Sequence, residues 1–290
     1  MSFQRLVRFV PRSDESAVFL GQPVDHSVDV GAAVRKGEDV KVNIFSGSSV
    51  VDPGSATDRV ESISRILSPL AMEEVGTIRC IGLNYKKHAE EAKMAVPDVP
   101  TVFMKPATSL ADPWPAPTPI PKHTIADDMA DFESELCIVI GKTCKNVPET
   151  KALDYVLGYT AANDISSRKV QFATSQWSYS KGFDKACPIG PVIVSKEVAG
   201  DVGELMLKGS LNGQVMQESK LNDMIFSVGY LVSFLSQGTT LLPGTIIITG
   251  TPAGVGAMRK PPIRLHDKDE FVVEIKPHIG SLYNVMEEEK

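Results

Sequence analysis

Long apolar runs are missing from this sequence. No stretch approaches the roughly 18 residues that a membrane-spanning helix requires, so no membrane contact is expected. Cysteine is scarce. Cys80, Cys137, Cys144 and Cys187 are too few for a disulfide framework, and no pair has the C-x2-C spacing of a zinc site. Reduced thiols in an intracellular protein fit best. Positive charge is in deficit: 30 Lys and Arg face 36 Asp and Glu, for a net charge of −6. Nucleic-acid binding needs clustered cations that displace counterions, so it is not expected here. The N-terminus lacks the apolar core of a signal peptide. Arg5, Arg8 and Arg12 precede the first acid, Asp14, in a faint likeness of a mitochondrial presequence, but Leu6–Val10 reads as an opening strand. The expected compartment is the cytoplasm, with the mitochondrion as the alternative. What is present is an ordinary globular composition, 42% hydrophobic and 23% charged over 290 residues, enough to bury a sizeable core.

Strand signals outnumber helical ones. Leu6–Val10, Ser16–Leu20 and Val40–Phe45 read as short strands, whereas Val60, Ile63, Ile66, Leu67 and Leu70 recur at helical spacing. From residue 78 the strand signals become denser: 78–83, 132–140, 158–165, 245–249 and 271–275. Asn212-Gly213 within 205–217 marks a hairpin. Helices are expected over 85–95, 149–157 and, from Met224, Ile225, Val228, Leu231, Val232 and Leu235, over 224–235. The proline-heavy run 96–122 cannot be a central strand or a helix, so it must wrap the surface or line a site. The spacing is not a regular βαβ alternation. The expected class is α+β, mainly β, with a small N-terminal domain over 1–72 and a larger one over 73–290.

The chemistry concentrates in a few clusters. In Asp131-Phe-Glu133-Ser-Glu135 the acids stand two apart, so a strand would aim them to one face. Adjacent carboxylates repel unless a cation or a proton neutralises them. Asp164, where an apolar strand ends, offers a third carboxylate. Three acids with no His or Cys beside them form a hard oxygen site suited to magnesium, manganese or calcium. Asp164 could instead cap the following helix. His88 and Glu91 stand three apart on an expected helix, the spacing of a base and its orienting carboxylate or of a plain surface pair. Thr249-Gly-Thr251-Pro-Ala-Gly254-Val-Gly256 follows an apolar strand but lacks the Gly-Lys-Ser/Thr ending of a nucleotide loop. Lys105 and Lys181 sit in apolar or aromatic surroundings.

In their order, these segments resemble the fumarylacetoacetate hydrolase superfamily. The matching stretches are Gly82-Leu-Asn-Tyr85 with His88, Phe103-Met-Lys105-Pro106, Asp131–Leu136, Asn163–Arg168, Lys181–Asp184 with Cys187–Pro191, and Thr249–Gly256. They span about 78–285, and Arg259-Lys-Pro-Pro262 is most similar to the eukaryotic domain-containing protein 2 branch. The resemblance implies a mixed β-sandwich roll, usually a homodimer, with Mg2+ or Mn2+ held by Glu133, Glu135 and Asp164. It also implies a small 2-oxo or 2,4-dioxo acid as substrate. Lys181 and Thr251 would contact that acid, and Lys105, Arg168 and Gln171 would complete the pocket. His88 with Glu91 would activate water from a lid over 85–98. Lys169 stands where many members carry Asp. The implied reaction is C–C hydrolysis or decarboxylation through an enolate. The alternatives are keto–enol tautomerisation of oxaloacetate, or a larger substrate in a biosynthetic pathway.

Overall fold

A computed structural model describes residues 3–290. Its larger sheet has eleven strands. Ten run in the spatial order Phe19–Pro23, Lys41–Phe45, Ala56–Leu67, Arg5–Pro11, Cys187–Ser195, Val156–Asn163, Ser134–Ile140, Ile246–Ile248, Ile78–Gly82 and Thr101–Lys105. Neighbours are antiparallel except Ile246–Ile248 with Ile78–Gly82. Phe19–Pro23 also pairs with Arg5–Pro11, closing the four N-terminal strands into a small barrel. Arg5 and Leu6 then pair with Val194 and Ile193, so this barrel is hydrogen-bonded into the main sheet. A five-stranded sheet covers one face: Gln214–Lys220, Met206–Leu211, Glu270–Lys276, Gly280–Glu288 and Pro117–Ile120. The architecture is mainly β, as expected.

Two central strands, Ser134–Ile140 and Val156–Asn163, are buried at every residue. That is why their sequences stay apolar on both faces. Leu136, Ile138 and Ile140 join one core cluster with Leu207, Phe271 and Val273 of the smaller sheet, and Phe132 stacks on Phe271 with ring centroids 4.4 Å apart. Cys137 and Val139, of opposite parity, join a second cluster on the far face. Glu135 shares that parity.

Two local expectations need correction. The Val60–Leu70 pattern is not a helix: Ala56–Leu67 is a long strand paired on both sides. Val10 and Pro11 lie opposite Arg65 and Ile63, leaving Ser64 as an extra residue. This bulge offsets the two-residue period, so Ile63 and Ile66 both face inward at a spacing that mimics a helix. The 149–157 helix stops early, at Ala152, and after a 3-10 turn the chain becomes strand at Val156. The Asn212-Gly213 hairpin forms as expected, and the helix expected over 224–235 begins only at Val228, capped by Ser227, and runs to Ser236. Within the proline-rich run, the proline-free Thr101–Lys105 forms an edge strand of the larger sheet, and Pro117–Ile120 lies at the edge of the smaller one, where missing ladder donors cost least.

Candidate active site

Pairing of the two buried central strands builds the floor. Ser134 lies opposite Asn163, so the residues just outside the pair, Glu133 and Asp164, become neighbours. Asp164 N donates to Glu133 O at 2.9 Å, and Glu133 N donates to the Asn163 side chain at 3.1 Å. Glu133, Glu135 and Asp164 thereby bring carboxylate oxygens within 4.8 Å of one another, all three residues buried.

Cations answer only two of these acids. Lys181 Nζ lies 2.7 Å from Asp164 Oδ2 and 3.0 Å from Glu133 Oε2, and also donates to Ser166 Oγ at 2.6 Å. Arg168 Nη1 lies 2.7 Å from Glu133 Oε1. Lys105 Nζ makes a 2.6 Å charge contact with Asp164 Oδ1 that lacks hydrogen-bond alignment; it donates instead to Ala186 O at 2.7 Å. Burial opposes charge on Glu133, but Lys181 and Arg168 outweigh it and hold the carboxyl down at about 2. Burial, followed by the fields of Asp164 and Glu133, pushes Glu135 well above the carboxylate range. Its Oε2 accepts from Gly250 N at 2.6 Å, and its buried Oε1 has no hydrogen-bond partner among the described residues. An orphaned buried carboxylate oxygen between two other acids is a costly arrangement without a cation. With oxygen donors only, this set fits a divalent cation of the magnesium, manganese or calcium type.

Above the floor opens a cleft of about 110 Å³. His88, Arg168, Gln171, Lys181 and Thr251 line it together with Glu133. His88 sits on the helix Lys86–Glu91 with Nδ1 3.1 Å from Glu91 Oε2. An ionised carboxylate can only accept, so the shared proton belongs on Nδ1 and Nε2 is left as the basic nitrogen. Partial burial works against the charge on Glu91, but hydrogen bonds from His88 and from Gly254 N hold its carboxyl below the usual range. Gly254 has φ +107°, and a Cβ there would lie 2.1 Å from Met216 O, so the loop requires glycine at this position. Thr251 Oγ1 donates to Ser134 O at 3.0 Å and accepts from Gln217 Nε2 at 2.7 Å. Gln171 Oε1 accepts from Arg168 Nη1 at 2.8 Å.

Lys105 departs from expectation. It has no exposed surface and lies behind Asp164 instead of completing the substrate pocket. Strand alternation along Thr101–Lys105 turns Phe103 and Lys105 inward and leaves Val102 and Met104 exposed. Asp131, which the two-residue spacing offers as a third member of the face shared by the glutamates, points elsewhere. Its Oδ2 accepts from Arg168 Nε at 2.8 Å and Ala257 N at 2.9 Å, and its Oδ1 from Gly256 N at 2.8 Å. Asp164 does not cap the next helix, which starts at Arg168 after Ser167. Sequence reasoning missed Gln217 and Ser166, whose only signal is burial in polar company. It also missed an apolar wall containing Phe103 and Trp177, whose rings meet edge to face at 5.7 Å.

Comparison with known proteins places this geometry. The chain is 45% identical over 296 residues to the caffeoylpyruvate hydrolase of Neonothopanus nambi, covering all of this chain and 95% of that protein. It is 40% identical over 221 residues to the mitochondrial oxaloacetate tautomerase fahd2 of Xenopus laevis, covering 76% of this chain and 67% of that protein. Among solved structures it superposes on the 5-carboxymethyl-2-hydroxymuconate delta-isomerase of Mycobacterium smegmatis with TM-score 0.79 at 32% identity, covering 99% of each chain. Residues 77–287 match the fumarylacetoacetate (FAA) hydrolase C-terminal family. A floor of three carboxylates beneath a histidine–glutamate pair thus sits within that matched region, and the chain belongs to the fumarylacetoacetate hydrolase family of enzymes, with the domain-containing protein 2 branch among its relatives.

Proposed function

We propose that this enzyme hydrolyses the C–C bond of acylpyruvate-type 2,4-dioxo acids with the aid of Mg2+ or Mn2+. The observation that carries the reading is the convergence of Glu133, Glu135 and Asp164, with Glu135 Oε1 unpartnered, under a cleft that also holds His88. A divalent cation held by those three acids would supply Lewis-acid charge to the oxo-acid end of the substrate. The chain's own residues do the rest. His88 Nε2 takes the proton of the attacking water, while Glu91 fixes the ring and stabilises the imidazolium that forms. The Lys181 ammonium, held at the floor by Asp164 and Glu133, faces the oxygen on which enolate charge develops as the pyruvate half departs. Arg168, Gln171 and Thr251 orient the acid. Lys105 acts through Asp164 alone.

The 45% identity to a caffeoylpyruvate hydrolase favours hydrolysis. A second reading, keto–enol tautomerisation of oxaloacetate, is favoured by the tautomerase relatives and uses the same enolate charge without water attack. Decarboxylation of oxaloacetate would share it too. The deciding experiment supplies magnesium or manganese, offers acylpyruvates and oxaloacetate, and counts product carbons by NMR. We expect cleavage that stops on exhaustive chelation and in Glu135→Ala. Full turnover by chelated enzyme would overturn the reading. His88→Ala should abolish hydrolysis while sparing tautomerisation.

A further inference from the structure

The cleft changes character from floor to mouth. Its charged and polar lining is nearly sealed: Lys181 is 1% exposed, Thr251 4%, Arg168 5% and Glu133 7%. Phe103 marks the junction, with Lys181 Nζ 5.2 Å from its ring centroid and the indole of Trp177 packed against its edge. Outward from there the lining is apolar and increasingly open: Met258 is 36% exposed, Met94 56% and Phe172 61%. Exposed large apolar side chains gathered at the mouth of a polar cleft mark a binding surface more than a folding one. The packing of the indole is itself specified. A Cβ at Gly82 would fall 2.3 Å from the Trp177 ring, so the close approach depends on glycine.

From this gradient we infer that the outer half of the cleft is a slot for an uncharged, apolar acyl group, an aromatic one above all, with Met94, Phe172 and Met258 setting the preference. The inference rests on the acylpyruvate reading and deepens it. The outer lining, among the described residues, offers a second carboxylate no cation. Among the described residues that line the cleft, the cationic side chains Arg168 and Lys181 both lie at the floor, where the unpartnered Arg168 Nη2 is left for the oxo-acid end, and none of Met94, Phe172 and Met258 brings a charge to the mouth. A distal carboxylate would lose water against methionine and aromatic side chains and gain no partner. Charge at the floor points the same way. Four buried carboxylates, Asp131, Glu133, Glu135 and Asp164, face three cations, Lys105, Arg168 and Lys181. Counted with Glu135 ionised, a divalent ion held there would leave an excess of one positive charge, which a monoanionic acid neutralises and a dicarboxylate overshoots.

The test compares kcat/KM with Mg2+ for benzoylpyruvate, acetylpyruvate and fumarylpyruvate. We expect benzoylpyruvate to exceed acetylpyruvate by on the order of tenfold or more, as burial of an aromatic ring allows, and fumarylpyruvate to be the poorest. Phe172→Ala should shrink the benzoyl-to-acetyl ratio several-fold, and Met94→Lys should raise fumarylpyruvate relative to benzoylpyruvate. Equal values across the three acids, or a preference for the dicarboxylate, would overturn the slot while leaving the reaction standing. If no acid is cleaved, the reaction fails instead, and calorimetric Kd values for the same series decide the slot alone. Tighter binding of benzoylpyruvate that Phe172→Ala weakens upholds it, and indifference to the acyl group sinks it.

Discussion

Glu135 and Asp131 stand four residues apart and obey opposite electrostatics. Asp131 is paired with Arg168 and accepts three backbone hydrogen bonds, so its charge is fully answered. Asp131→Ala would leave the buried Arg168 guanidinium short of a partner, and we expect a loss of about 3–5 kcal/mol in urea unfolding. Glu135 is the reverse case. Its folded-state pKa is raised, so its contribution is favourable below the unfolded carboxyl range and is lost as pH rises through the folded value. Metal-free protein should therefore weaken as pH climbs through that value. A bound divalent ion should restore stability, by about 2.7 kcal/mol at a hundredfold excess over Kd. Glu135→Gln should raise the metal-free Tm and erase the metal-induced increase, both readable by differential scanning fluorimetry. The two-residue spacing of Glu133 and Glu135 pointed to the floor in the sequence, although Glu133 lies just before the strand and is set beside Asp164 by the backbone bond between them. Asp131 misled because extended structure breaks at Phe132 and Glu133, which resets the alternation. The inward turn of Lys105 could not be read without knowing which face of its edge strand was covered.

Glu91 works at the scale of an element. It ties the helix Lys86–Glu91 to the glycine loop through Gly254 N, and Arg259 Nε in turn donates to Gly254 O. Because its folded pKa lies below the unfolded value of about 4.3, this tie stabilises above that pH and is lost as pH falls through the folded value. Amide protection in Lys86–Glu91, measured by hydrogen exchange, should drop in Glu91→Ala at neutral pH and converge with wild type in acid. Gly254→Ala should cost more than about 1 kcal/mol, since it combines positive φ with a contact to Met216 O. Elements with an unbroken apolar run, a turn dipeptide or a steady helical spacing were legible, though not to the residue: the buried strands, the Asn212-Gly213 hairpin and the helix expected from Met224 that begins at Val228. Ala56–Leu67 was not, because the extra Ser64 counterfeits a helical spacing that only the pairing partner exposes.

On the scale of the whole molecule, the N-terminal barrel and the catalytic sheet share hydrogen bonds through Arg5–Leu6 and Ile193–Val194. Leu6, Val7 and Phe9 are fully buried. A fragment beginning at residue 73 would leave the Ile193–Ser195 end of the Cys187–Ser195 strand unpaired and strip the apolar cover that Leu6 gives it, a template for self-association. We expect that fragment to aggregate on size-exclusion chromatography and to lose cooperative unfolding. The order of the strands, which places residues 5–6 beside 193–194, is a long-range property that no local periodicity encodes. The missing side chain at Gly82 has a consequence of another kind. Because the indole rests where a methyl would otherwise stand, position 82 works as a remote dial. Gly82→Ala should push Trp177 outward, narrow the vestibule and change which acids are admitted, while every proton-handling group keeps its place.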